Sequence, residues 1–266
     1  MRDRSAVCVI QRQKWRTARL SLAMDAAKFI RDSVSEVDRL RRITAADPRL
    51  AAAVDAVKEY QSVRFRHSYR DLIDSGPYQA AATFFLDELY GLVDYSRRDA
   101  QFSRIAGAIE RLLPRQAIAT AVALARLHVL TEQLDQSMGR VWMTAPEHTS
   151  TAATYVFAWR AVGRRQERET QLEMVLALGR DLDRLTRTAG LRLLLKMMRR
   201  PAHAAGLHEL QKFLETGFDT FAQLAKKESG TARFLRLIET RESGLIRALF
   251  DQDANTQQLI EDSVLP

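Results

Sequence analysis

The chain has 266 residues, 46% of them hydrophobic and 28% charged, with one cysteine and a formal net charge of +8. Those values exclude a disulfide scaffold, a cysteine-based zinc site and a disordered chain, and they allow a core that needs no covalent or metal staple. The basic balance admits nucleic acid or an anionic surface as a partner, although acids are interleaved with the arginines almost everywhere, as on solvated, charge-mixed helix faces.

Residues 1–35 are basic and weakly patterned, and read as an appended helix or arm. Their one apolar stretch, Ala6–Ile10, is too short for the core of a signal peptide. No window offers the roughly 18 apolar residues of a membrane span, so a cytoplasmic location without a transmembrane segment is the expectation. Within the arm, Lys14, Trp15, Arg16 and Arg19 combine cations with an aromatic ring, which suits weak, nonspecific contact with nucleic acid.

From residue 36 to 266 the chain predicts one helical domain. Pro48, Pro77, Pro114, Pro146 and Pro201 divide it into segments, since proline is tolerated in the first turn of a helix and costly inside it. Between them, apolar residues recur at helical spacing: Leu50–Val54–Val57–Tyr60, then Leu124–Leu127–Leu130–Leu134, then Leu172–Val175–Leu176–Leu182–Leu185. The clearest stripe is Leu207–Leu210–Leu214–Phe218–Phe221–Leu224, with Gly217 on the same side, where a close helix crossing is expected to offset its poor helix propensity. A last helix runs from about Thr231 to Phe250. No segment alternates like a strand. The expectation is an all-α, multi-helix bundle of about seven to nine helices in a single compact unit, with Pro146–Ser150 as a possible subdomain break.

The stretch FFLDELYG, Phe84–Gly91, places two acids within an aromatic run. At about 100° per residue, Phe85, Leu86, Leu89 and Tyr90 share one arc, while Asp87 and Glu88 lie on the other side around Phe84. Such a helix is contacted from more than one direction. Arg98 is expected to pair with Asp94 or with an acid from another helix, and Tyr90, Asp94, Arg98 and Asp99 form the candidate ligand-binding set should the block line a pocket.

FFLDELYG followed by Asp94 and RDAQFSR resembles the signature of a family of uncharacterised helical bacterial proteins. RFRHSYRDLI (Arg64–Ile73), PAHAAGLHELQKFLETGFDTF (Pro201–Phe221) and FLRLIETRE (Phe234–Glu242) are similar to it too. The resemblance covers about residues 54–250 and implies one continuous helical unit. It brings no activity and no catalytic residues.

His128, Glu132 and Asp135 lie on one helix face and are the candidate metal set, because imidazole and carboxylates hold metals between bundle helices. His208, before the Leu210 stripe, makes haem thinkable. Neither HExxH, a Gly-rich phosphate loop nor GxSxG occurs. The reading is a non-catalytic protein that needs no cofactor and binds a partner protein or small ligand. The alternatives are a metal- or haem-holding enzyme or sensor, and a nonspecific nucleic-acid-associated factor.

Overall fold

Helix boundaries follow local chemistry. Pro48 stands in the first turn of α2 (Pro48–Ser68), and the carboxylate of Asp47 accepts from the backbone N–H groups of Arg49 and Leu50, at 3.0 and 3.3 Å. Pro114 precedes α6 (Arg115–Trp142), while Ser150 caps α7 (Thr151–Val162) through the N–H of Ala153. Gly163, at φ +65°, ends α7 in the left-handed conformation that suits a residue without Cβ.

The computed structural model describes residues 26–250 except 75, 90–93, 147–148 and 228–229. The remaining helices are α1 (residues 26–45), α3 (Arg70–Ile73), α4 (Gln79–Leu89), α5 (Ser96–Leu112), α8 (Arg165–Thr186), α9 (Leu191–Met197), α10 (Arg199–Ala204), α11 (His208–Ala225) and α12 (Gly230–Phe250). The fold is all-α, with no strand among the described residues. The twelve described helices exceed the seven to nine expected because α3, α9 and α10 are short pieces that the periodicity merges with their neighbours.

The boundary expected at residue 35 falls inside α1, whose Ala27, Ile30, Val34, Val37 and Leu40 are all buried. The bundle therefore includes the chain from at least residue 26. Nor does the loop near residue 146 divide it: Val57 and Tyr60 of α2, Met138 of α6, Tyr155 and Trp159 of α7 and Ile246 of α12 share one cluster.

α6 and α8 are the central antiparallel pair, joined by Gln116–Asp181 at 3.1 Å, Gln171–Thr131 at 2.8 Å and Arg164–Ser137 at 3.1 Å. α12 returns along α8, where Thr231 donates to Asp183 at 2.7 Å. The largest core cluster joins Phe65 of α2 and Tyr69 at its C-terminal cap with Phe84 and Phe85 of α4, Leu176 of α8, Phe221 of α11 and Phe234 of α12. Phe85 meets Phe221 and Phe234 while Phe84 stacks toward Phe213, so α4 is contacted by α11 and α12 as well as by α2 and α3.

Glycine permits the close crossings. A Cβ at Gly217 would stand 3.0 Å from the Phe84 ring, and one at Gly139 would meet Val54 Cγ2 at 2.5 Å and its backbone nitrogen at 3.2 Å. Gly244, in contrast, has nothing within 4 Å of that position. Overpacking costs about 1–3 kcal/mol, whereas replacing an open helical glycine by alanine gains up to about 1 kcal/mol. Urea denaturation should therefore show Gly139→Ala destabilised by about 1–2 kcal/mol and Gly244→Ala stabilised by about 0.5–1 kcal/mol. Equal shifts in the two variants would contradict the close α2–α6 crossing.

Candidate functional site

Between the helices lies a partly open cavity of about 760 Å³ bordered by α1, α2, α4–α6 and α7–α12. Most of its wall is apolar. Leu178, Leu182 and Leu185 of α8, Leu194 and Met198 of the α9–α10 segment and Leu214 and Phe218 of α11 form one region. Elsewhere on the same wall stand Arg41, Lys58, Asp99, His128, Glu132, Asp135, Arg168 and Glu242.

The charged groups are tied to one another. Arg41 of α1 donates to Asp99 of α5 and to Glu132 of α6, each at 2.9 Å. Lys58 of α2 donates to the other Glu132 oxygen at 3.2 Å, and His128 Nε2 lies 2.9 Å from Asp99 Oδ2. Burial alone would raise the Asp99 carboxyl, but the hydrogen bond from His128 and the charges of His128 and Arg41 hold it below the usual range. Glu132 is likewise lowered, burial being outweighed by Lys58 and Arg41.

One turn further along α6 the balance reverses. Asp135 is only 3% exposed, and the one side chain donating to it among the described residues is Gln61, at 3.2 Å. Burial pushes its carboxyl up despite the opposing charges of Lys58 and Arg168. Beyond it, Arg64 of α2 forms a two-pronged pair with Glu242 of α12 at 3.0 and 3.1 Å, and the Tyr69 hydroxyl donates to the same carboxylate at 2.9 Å. Arg168 lies over the Trp159 ring, 4.2 Å from its centroid, and donates to Gln171 at 3.1 Å. The indole N–H of Trp159 is buried with no acceptor among the described residues.

The candidate residues Asp94, Arg98 and Asp99 reach this wall, as do His128, Glu132 and Asp135, so the structure merges the expected ligand and metal sets. Arg98 pairs with Glu88 of α4 rather than with Asp94, and its guanidinium covers the rings of Tyr95 and Phe213 at 4.0 and 4.5 Å. Asp94 accepts from the backbone N–H and hydroxyl of Ser96 at 2.9 Å each, at the start of α5. Tyr95 donates to the Asp87 carbonyl, and burial pushes its phenol up to about 12. Tyr90, Lys14, Trp15, Arg16 and Arg19 lie outside the described residues.

Among the described residues no three His, Cys, Asp or Glu side chains are gathered as metal ligands. Cations already occupy Glu132, and Gln61 holds Asp135. His208, the haem candidate, is exposed at the start of α11. Arg64 is an interior partner of Glu242.

The sequence reading missed Arg41, Lys58, Gln61, Trp159, Arg168, Gln171 and Glu242 as site residues. A signal was present for two of them. Lys58 and Gln61 follow the apolar positions Val54 and Val57 closely enough to border the buried face of α2.

Residues 40–256 match a family described as a domain of unknown function (DUF8198). That is most of the chain, and the protein belongs to this family. No curated protein and no solved structure matches it.

Removing Arg64 leaves Glu242 buried and unpaired except for Tyr69, so Arg64→Ala should cost about 3–5 kcal/mol in chemical denaturation. The Arg98–Glu88 pair reaches solvent at both ends, with side chains 15% and 23% exposed. Arg98→Ala should fall between that loss and the ~0–1 kcal/mol of a surface pair. The reverse order would place the stronger electrostatic constraint at α4–α5.

The carboxylates also predict opposite pH responses. Asp99 and Glu132, depressed in the folded state, add stability above the unfolded carboxylate pKa of about 4, which is lost as pH falls through their folded values. Asp135, raised, subtracts stability above that pH. Asp135→Asn should therefore melt above wild type at neutral pH and lose the advantage below about pH 4. Glu132→Gln should melt lower at neutral pH, with a deficit that shrinks on acidification. A less stable Asp135→Asn at neutral pH would show that the folded protein favours the charged aspartate.

Proposed function

We propose that this member of the DUF8198 family is a binding protein that holds a small amphiphilic molecule inside its helical bundle. The observation that carries the reading is the cavity of about 760 Å³ with an apolar region and a charged row on one continuous wall. Its volume is within the roughly 300–1,000 Å³ of small-molecule sites, which are typically apolar with a few fixed polar groups.

The apolar body of the ligand would occupy the space between Leu178, Leu182, Leu214 and Phe218, and its polar group would lie beside Arg41, Lys58, His128 and Arg168. The unsatisfied indole N–H of Trp159 supports this reading, because buried donors in folded proteins nearly always have an acceptor. Binding is favoured over catalysis because Asp99, Glu132 and His128 are committed to one another or to Arg41 and Lys58.

A fluorescent fatty acid tests the reading. The full-length protein should bind it saturably, at about one molecule per chain for a cavity of this size. Leu124 of α6 and Leu214 of α11 both line the cavity, so Leu124→Trp with Leu214→Trp places two indoles against it and should weaken binding at least about tenfold, equivalent to ~1.4 kcal/mol, while the helical circular dichroism persists. Extraction of the purified protein with organic solvent, followed by mass spectrometry, would identify any molecule carried through purification. Unsaturable uptake, or binding unchanged in the double variant, would remove this assignment.

A further inference from the structure

The segment Leu191–Ala204, LRLLLKMMRRPAHA, contains four cations and no acid. It folds as α9 and α10, bounded by Gly190 at φ +79° and Gly206 at φ +66°. Its inner face supplies Leu191, Leu194, Leu195, Met198 and Ala202 to the cavity wall. On the outer face Leu193 and Met197, one turn apart, are 62% and 65% exposed. The other large exposed hydrophobics among the described residues, Ile43, Val63, Leu112 and Phe157, stand singly on four different helices.

The cations around this apolar pair fall into two groups. Arg192 and Arg199 hold Asp219 and Glu215 of α11, at 3.0 and 2.7 Å, and so neutralise the nearest acids. Lys196 and Arg200 are exposed and make no hydrogen bond or ion pair among the described residues; Lys196 acts on Glu215 only through its charge. An exposed apolar pair flanked by unneutralised cations is how a short helix engages an anionic membrane surface. A second copy fits poorly, because a two-fold contact through this face would set cations against cations.

We infer that the outer face of α9–α10 docks on an anionic lipid bilayer, with Leu193 and Met197 entering the headgroup boundary and Lys196 and Arg200 meeting the lipid charge. This goes beyond the binding function and does not require the cavity to be filled. The test is co-sedimentation of the full-length protein with vesicles of phosphatidylcholine alone or mixed with phosphatidylglycerol.

Binding should appear with the mixed vesicles, fade at high salt and be far weaker with phosphatidylcholine alone. Lys196→Gln with Arg200→Gln should weaken it about 25-fold, at about fivefold per cation. Leu193→Asp with Met197→Asp should abolish it. All four positions are exposed, so both double variants should keep the wild-type circular dichroism and melt. The Leu124→Trp/Leu214→Trp variant should still bind vesicles, which separates this inference from the cavity reading. Equal binding to both vesicle types would overturn docking. So would undiminished binding of the Lys196→Gln/Arg200→Gln protein, which would move the contact to the basic arm. A dimer dissolved by Leu193→Asp, or an acidic protein captured in place of lipid, would assign the face to another partner.

Discussion

The Arg41 guanidinium fixes more of this structure than any other single group. It binds Asp99 and Glu132 together, while Lys58 completes Glu132 and His128 completes Asp99. Four helices, α1, α2, α5 and α6, thus meet at one partly buried ionic cluster whose carboxylates are its most buried members. Leucine stripes alone tolerate sliding by a turn, because one apolar side chain replaces another at modest cost. A charged cluster does not, since a shift in register would leave a desolvated carboxylate without its cation.

The same cluster explains why the interior is hollow. Arginine and lysine in fixed hydrogen bonds cannot interdigitate as leucines do, and on the same wall α6 presents the small residues Ala117, Thr120, Ala121 and Ala125. Polar groups continue along α2 from Gln61 and Asp135 to Arg64 and Glu242. Two environments result within one space: a polar stretch held by hydrogen bonds across four or more helices, and a leucine-lined stretch closed by packing and, on its outer side, by the ion pairs of Arg192 and Arg199 with α11. Asp135 lies in the first yet behaves by the rules of the second, its carboxyl raised because burial outweighs its single donor and its distant cations.

Helices were legible in the sequence wherever local chemistry decides them. Pro48 and Pro114 mark observed starts, Gly217 meets the close crossing its position implied, and Arg98 finds an acid on another helix. The interior charges were not legible. The partners of Arg41 are 58 and 91 residues away and Glu242 is 178 residues from Arg64, distances over which periodicity carries no information. An arginine on the edge of a stripe looks the same whether it faces water or another helix. The burial of α1 was not legible for a related reason. Its apolar positions, Ala27, Ile30, Val34 and Val37, are small or widely spaced among charges, and only their burial, that of Ala27 and Ile30 against Ala106 and Ala125, shows what they do.

The run LRLLLKMM then has a physical explanation that helical periodicity does not provide. A helix with one buried face shows one apolar stripe, and a helix apolar on both faces needs something apolar on both sides. α9 and α10 form a wall of single-helix thickness over the leucine-lined part of the cavity: Leu194, Leu195 and Met198 face inward, while Leu193 and Met197 face out. Solvent alone does not account for the outward pair, because leucine and methionine there gain nothing from water that lysine or glutamate would not gain more cheaply. An adjoining lipid phase does account for it, and it also accounts for cations without a single acid along the segment. The thin wall therefore stands between two apolar environments, the cavity within and the bilayer surface outside. An amphiphile passing from one to the other would cross the leucine-lined part of the bundle, and leave undisturbed the ionic cluster that sets the helix register.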